Sequence, residues 1–142
     1  MTLPILGFKK APYQFLSNMT FAWVDLDEWS YPSVEHAYQA AKTLDTKERK
    51  IIFNMKSPYD VKKYSKTLTL RKDWDEVKLK VMEDLLRQKF TKNSEHGQKL
   101  LDTGDAHIEE TNWWGDTFWG VCKGKGENHL GKLLMKIRGD IA

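Results

Sequence analysis

Tyr31-Pro-Ser-Val-Glu-His-Ala-Tyr-Gln-Ala-Ala-Lys42 is the stretch on which the reading of this chain turns. Pro32 stops the preceding element, and Ser33 is a good N-cap for a helix opening at Val34. At about 100° per residue, Glu35, Gln39 and Lys42 fall within an arc of roughly 60°. Val34, Ala37, Tyr38, Ala40 and Ala41 cover the rest, with His36 at the margin. A short, largely apolar helix therefore carries a carboxylate, an amide and an amine in one line. Two readings fit such a stripe. It is either the polar edge of a ligand pocket, each group reaching a different ligand atom, or the solvated face of an amphipathic helix.

Upstream of this helix, residues 5–16 read as an irregular or short extended lead-in. Phe21-Ala-Trp-Val24 reads as a strand, Asp25-Leu-Asp27 as a turn, and Glu28 to Ser30 as a short returning strand. Downstream the signals are helical. Asp45 or Thr46 caps a helix through Asn54, and Ser57-Pro58 opens another to Thr67. Asp73-Trp-Asp-Glu76 has the form of a capping box at the head of the longest helix, which runs to Lys92. Ser94 opens a helix that Gly104 ends. Ile108 lies in a short extended segment, residues 111–126 form a loop rich in Gly and Trp, and Asn128 caps a last helix from His129 to Arg138. The pattern predicts a mainly α domain with a small β hairpin near its start, and no repeats or linkers divide residues 1–142.

Composition narrows the function classes. At 142 residues the chain is long enough to bury a core as one domain. The formal net charge of +3 permits contact with a phosphate-bearing substrate but is far from a dedicated nucleic-acid coat. One cysteine, Cys122, excludes an intrachain disulfide and any multi-cysteine metal site. His36, His96, His107 and His129 show no ligand-pair spacing on a helix, so neither a catalytic metal nor any other cofactor is expected. No apolar run reaches membrane-spanning length and no signal peptide is discernible, which points to a cytoplasmic protein.

Further blocks accompany the helix in a fixed order. They are Phe15-Leu-Ser-Asn18, Arg71-Lys-Asp-Trp74, Val77-Lys78 with Met82, Lys89-Phe90 and Leu101-Asp-Thr-Gly104. Glu110, Asp116, Trp119-Gly120, Gly124-Lys-Gly-Glu-Asn128, Leu130-Gly131 and Leu134-Met135 follow. Taken together they resemble the NADAR domain family, also called YbiA-like, from Phe15 to Arg138. No single block is specific, whereas the ordered set is. The chain departs from some members after Trp119-Gly120, where Val121-Cys-Lys-Gly124 replaces a longer insert.

The resemblance implies a single-domain helical YbiA-like fold and an N-glycosidase acting on ribose–base bonds without a metal. Two substrate classes follow: ADP-ribose carried by guanine in DNA, or a phosphorylated ribosylamino-pyrimidine of riboflavin biosynthesis. A binding module that senses NAD-derived ligands without turnover is the alternative of another class. The resemblance places Glu35, Lys42 and Asp116 at catalytic positions. It places Phe15, Asn18, Gln39, Arg71, Trp74, Glu110 and Trp119 at substrate-binding ones.

Each position has a chemical rationale and a plainer competitor. A lysine amine can attack an anomeric carbon and pass through an imine if it is desolvated, and otherwise Lys42 simply answers a helix dipole. Glu35 can move a proton or hold ribose hydroxyls, or it is favourable charge in a first helical turn. Asp116, among indoles, can stabilise positive charge developing on a sugar, or it shapes a turn. Glu110 offers a second carboxylate. Trp74 and Trp119 can stack on a base or fill a core. Phosphate contact falls to Arg71, Lys72 or Lys123, and the turn at Gly124 is more simply a cap.

Overall fold

The computed structural model describes residues 2–142. In chain order its strands are β1 (Ile5–Leu6), β2 (Phe21–Leu26), β3 (Trp29–Ser33), β4 (Ile108–Glu109), β5 (Thr111–Asn112) and β6 (Val121–Cys122). Its helices are α1 (Val34–Ala41), α2 (Thr46–Asn54), α3 (Pro58–Tyr64), α4 (Trp74–Lys89), α5 (Glu95–Asp102) and α6 (His129–Ile141). The mainly helical class and the early hairpin are as the sequence predicts. The contacts divide into two compact units, Asn18–Lys89 and the N-terminal residues through Ser17 with Phe90–Ala142.

The Asn18–Lys89 unit is built around α1. This helix packs on α2, α3, α4, β2 and β3, and all eight of its residues are buried. Its alanines explain the close packing, because Ala37, Ala40 and Ala41 leave no side chain to hold neighbours away. Ser33 caps it as expected, its Oγ accepting from the His36 backbone N–H at 3.0 Å. Asp45 and Ser57 cap α2 and α3 in the same manner. Burial all round removes the solvated-face reading of the Glu35–Gln39 stripe.

Two local expectations differ. Pro32 does not stop the preceding element: β3 continues through it to Ser33, pairing Tyr31 with Val24 and Ser33 with Phe21 across a shifted register. A two-stranded sheet consists only of edges, where a residue without an N–H costs no ladder bond. At the head of α4, the Asp73 carboxylate takes two bonds from Arg71, Nε to Oδ1 at 2.6 Å and Nη2 to Oδ2 at 3.0 Å. The guanidinium outcompetes a capping role because a charged fork matches both carboxylate oxygens.

In the other unit β1 pairs in parallel with β4, and β5 with β6. α5 is capped by Ser94 and ends at Gly104, whose φ of +64° is the left-handed conformation a helix end demands. Asn128 also departs from expectation. It lies in the left-handed region, and its side chain does not cap α6 but spans back to β4. Its Oδ1 accepts from Glu110 N at 2.9 Å, and its Nδ2 donates to Ile108 O at 3.0 Å. Gly131 lets the strand come this close, since a Cβ there would stand 2.2 Å from Ile108 O.

Candidate active site

Asn18, Glu35, Gln39, Lys42, Arg71 and Trp74 belong to the Asn18–Lys89 unit, where α1 organises them. Glu35 and Gln39, one turn apart, are 7% and 5% exposed, and Gln39 Nε2 donates to Glu35 Oε2 at 2.7 Å. A carboxylate oxygen can only accept, so this bond fixes the amide with Nε2 toward Glu35 and Oε1 on the other side. Gln39 Oε1 is buried and meets no hydrogen-bond donor among the described residues. Asn18 sits at the start of the same helix, its backbone oxygen accepting from Glu35 N at 3.1 Å. Its Nδ2 lies 3.7 Å from Met82 Sδ, and its buried Oδ1 also meets no donor among the described residues. Buried acceptors without donors are rare in native proteins and mark either strain or a ligand position.

Lys42 occupies the C-terminal end of α1, half-buried, with its Nζ 5.3 Å from the centre of the Tyr38 ring. Trp74 packs against the same ring: its centroid is 5.2 Å from that of Tyr38. The indole is 6% exposed, so it belongs to the packed interior of its unit rather than to an open surface. Replacing Trp74 with Leu is expected to lower stability by about 2–3 kcal/mol through the void it leaves. Thermal melts of the two proteins, without ligand, check this, and an unchanged melting temperature would assign the indole to ligand contact alone.

Arg71 is a strap on the end of α1. Its backbone N–H reaches Lys42 O at 2.7 Å, and Nη1 lies 3.5 Å from Ala41 O, so carbonyls that the helix leaves open find donors. Bonding to Asp73 raises the guanidinium pKa further and holds the Asp73 carboxyl below its ordinary value. A cleft of about 310 Å³ beside Arg71 is also lined by Asp25, Asp27 and Asp84. Paired with Asp73 and facing further carboxylates, Arg71 is a poor phosphate anchor, whereas Lys72 is exposed.

His36, on the same helix, is structural. Its Nε2 meets Met55 O at 2.9 Å and its Nδ1 meets Ser33 Oγ at 2.7 Å, a set that suits neutral imidazole, and burial lowers its pKa. Lys89, in sequence only part of the Lys89-Phe90 block, has a burial that the sequence reading did not anticipate. Lys89 is 3% exposed, and desolvation lowers its pKa to about 7. The helical wheel contains the signal. Relative to Trp74, the buried Leu85, Met82 and Leu86 fall at about 20°, 80° and 120°, and Lys89 at about 60°, mid-stripe.

Phe15, Glu110, Asp116 and Trp119 belong to the other unit. Phe15 is buried edge-on to Phe90 at 6.5 Å and is core. Asp116 shapes its loop: Oδ1 accepts from the N–H groups of Phe118 at 3.1 Å and Trp119 at 2.9 Å. Asn112 ties the loop together, accepting from Asp116 N at 3.0 Å while its Nδ2 reaches Asp116 O at 2.8 Å and Glu110 Oε2 at 3.1 Å. Glu110 and Asp116 are thus two carboxylates on one scaffold. Gly120 closes against it, since a Cβ there would meet Glu110 Oε2 at 2.0 Å. Trp119 stacks edge-on with Phe118 at 4.8 Å and lies 6.4 Å from the His129 ring. Trp113 and Trp114 are exposed, with Lys9 over both rings, so they are surface and not core.

Among the described residues no helix is long and apolar enough to cross a membrane, and no three His, Cys, Asp or Glu side chains gather in a metal-binding group.

Comparison with known proteins places this arrangement. The model of the NADAR domain matches residues 7–142. The N-glycosidase YbiA of Escherichia coli strain K12 is 38% identical over 137 residues, covering 92% of this chain and 82% of the relative. A Vibrio vulnificus riboflavin biosynthesis protein is 31% identical over 130 residues, covering 89% of this chain but 35% of its own length. The solved NMR structure of E. coli YbiA superposes with a TM-score of 0.84 at 35% identity, covering 99% of this chain and 86% of that one. With its motifs in order, a family model spanning nearly all of it and a solved relative of the same fold, the chain belongs to the NADAR domain family.

Proposed function

We propose that this protein is an N-glycosidase that hydrolyses a ribose–base bond, with ADP-ribose attached to guanine in DNA as its substrate. The observation that carries this reading is the buried Glu35–Gln39 pair on the helix that ends in Lys42. Folding rarely retains a buried carboxylate and an undonated amide oxygen on one helix without a use for them. The relatives named N-glycosidases support the activity class. The mildly basic balance of the chain and its supply of aromatic side chains support the ADP-ribosyl substrate.

In this mechanism the Lys42 amine attacks the anomeric carbon of the ribose and the bond to the base breaks. The departing base nitrogen takes up a proton. Ring opening then leaves an imine between Lys42 and the sugar, and water adds to its carbon to release the free sugar and the amine. Glu35 and Lys42 stand about 10 Å apart along the axis, a span that admits a ribose between them. Glu35 is the candidate for holding hydroxyls or moving the proton. Phosphate contact falls to one of the exposed lysines, Lys72 or Lys123.

Riboflavin biosynthesis offers the second reading, favoured by relatives that carry that name in V. vulnificus and Zea mays. Parallel incubation with ADP-ribosylated DNA and with the phosphorylated ribosylamino-pyrimidine, followed by mass spectrometry, separates the two. Release of neither free sugar would leave a ligand sensor.

Asp116 enters the proposal through the family resemblance, as a carboxylate that stabilises positive charge on the sugar. Asp116→Asn keeps an oxygen to accept from Phe118 and Trp119, so the loop is retained while the charge is lost. Turnover is expected to fall by about 10²–10³-fold, the usual effect of deleting one preorganised electrostatic group. Circular dichroism with kinetics checks it, and wild-type turnover would assign Asp116 to the loop alone.

A further inference from the structure

We infer that Gln39 and Asn18 are specificity-determining residues that read the vicinal hydroxyls of the sugar, so that the protein cleaves ribosyl bonds and spares 2′-deoxyribosyl ones. The inference rests on the N-glycosidase reading and deepens it. Three acceptors lie on or beside α1: the Glu35 carboxylate, Gln39 Oε1 one turn further along, and Asn18 Oδ1 on the residue whose backbone oxygen accepts from Glu35 N. The Glu35 bond sets the amide of Gln39, and the Glu35 N–H bond to Asn18 O anchors Asn18 at that helix start. Neither Gln39 Oε1 nor Asn18 Oδ1 has a donor among the described residues, and Gln39 is 5% exposed.

A ligand that completes this set must bring hydrogen-bond donors to two separate oxygens. The cis-diol of a ribose does so, one O–H to each amide oxygen, while the hydroxyl oxygens stay able to accept. A sugar lacking the 2′-hydroxyl leaves one buried acceptor unpaired, and a site built around such a bond rejects the analogue far more strongly than lost contact area would.

This selectivity matters for the proposed substrate. A guanine in DNA that carries ADP-ribose has two N-glycosidic bonds, one to a ribose and one to the 2′-deoxyribose of the strand. Cleaving the first restores the base, whereas cleaving the second leaves an abasic site. The acceptors of α1 choose the first by chemistry alone.

The test uses the full chain and a single strand bearing one ADP-ribosylated guanine, alongside versions in which the added sugar lacks its 2′- or its 3′-hydroxyl. Wild type is expected to release ADP-ribose with the strand intact, and to favour the ribosyl over the deoxyribosyl bond by about 10⁴-fold or more. Each missing hydroxyl on the added sugar is expected to lower kcat/KM by about 100-fold. Gln39→Met and Asn18→Leu should each flatten the penalty for one of the two hydroxyls to less than about tenfold, a change that a merely structural role would not produce. Equal rates on the ribosyl and 2′-deoxyribosyl versions, or penalties unchanged in both variants, would overturn the inference. Should either variant fail to fold, the wild-type comparison across the three sugars decides by itself. If wild type turns over none of them, the N-glycosidase reading fails separately, and calorimetric affinities for ADP-ribose and its 2′-deoxy form then judge the acceptors. Equal affinities sink them.

Discussion

Lys42→Arg is expected to abolish turnover and, with it, the capture of a sugar adduct by borohydride. Arginine keeps the positive charge at the end of α1, where Lys42 Nζ lies 5.3 Å from the Tyr38 ring centre, so the packing of that corner is disturbed little. What changes is chemistry: a guanidinium stays protonated in proteins and cannot attack an anomeric carbon. The loss should exceed about 10³-fold, since a covalent route replaces one hard step by two easier ones. Wild-type protein reduced during turnover should gain the mass of the sugar on the peptide containing Lys42. Glu35→Gln should slow turnover and still bind, because it keeps an acceptor for ligand while losing the ability to take a proton. Full activity in Lys42→Arg would refute the covalent route and leave direct attack by water.

Lys89→Met is expected to stabilise the protein at neutral pH and barely to affect it in alkali. The amine lies mid-stripe on the buried face of α4, and its folded pKa of about 7 lies far below the ordinary lysine value. The unfolded chain therefore binds more protons than the folded one between about pH 7 and pH 10. Stability rises with pH through that window and is lost as pH falls through it. At pH 7 the deficit is about 4 kcal/mol on a scale of 1.36 kcal/mol per pKa unit, and methionine, of similar length and apolar, removes it. Denaturant melts at pH 7 and pH 10 should show a gain of several kcal/mol at the lower pH that shrinks to little at the higher. An equal gain at both would mean that Lys89 is packed, not desolvated.

Signals that act within a few residues were legible in the sequence. The Ser33, Asp45, Ser57 and Ser94 caps each open a helix where the pattern places them, because a side-chain oxygen and the amides it receives lie within one turn. The strands of the β2–β3 hairpin were legible for the same reason. What escaped depends on partners distant in sequence. Pairing Ile5 with Ile108 joins two-residue strands with no periodicity of their own. Asp73 reads as a helix cap until Arg71 competes for it, and Pro32 reads as a stop until the strand proves to be an edge. The polar stripe of α1 illustrates the limit: spacing put Glu35 and Gln39 on one line, but only the wrapping of α1 by five other elements shows that the line is buried. The burial of Lys89 did not show although its wheel position lies mid-stripe, because a lysine among apolar neighbours is ordinarily assigned to the surface.

The burial of α1 also bears on the thermodynamics of recognition. A rotamer-rich side chain immobilised on binding forfeits roughly 0.5–1.5 kcal/mol of affinity. Glu35 and Gln39 are already held by each other and by the helix, so that entropy is surrendered during folding, before any ligand arrives. Ligand association at these groups is then closer to a key entering a cut lock than to a hand closing. Its heat capacity change should reflect surface removed from water and little ordering of the protein.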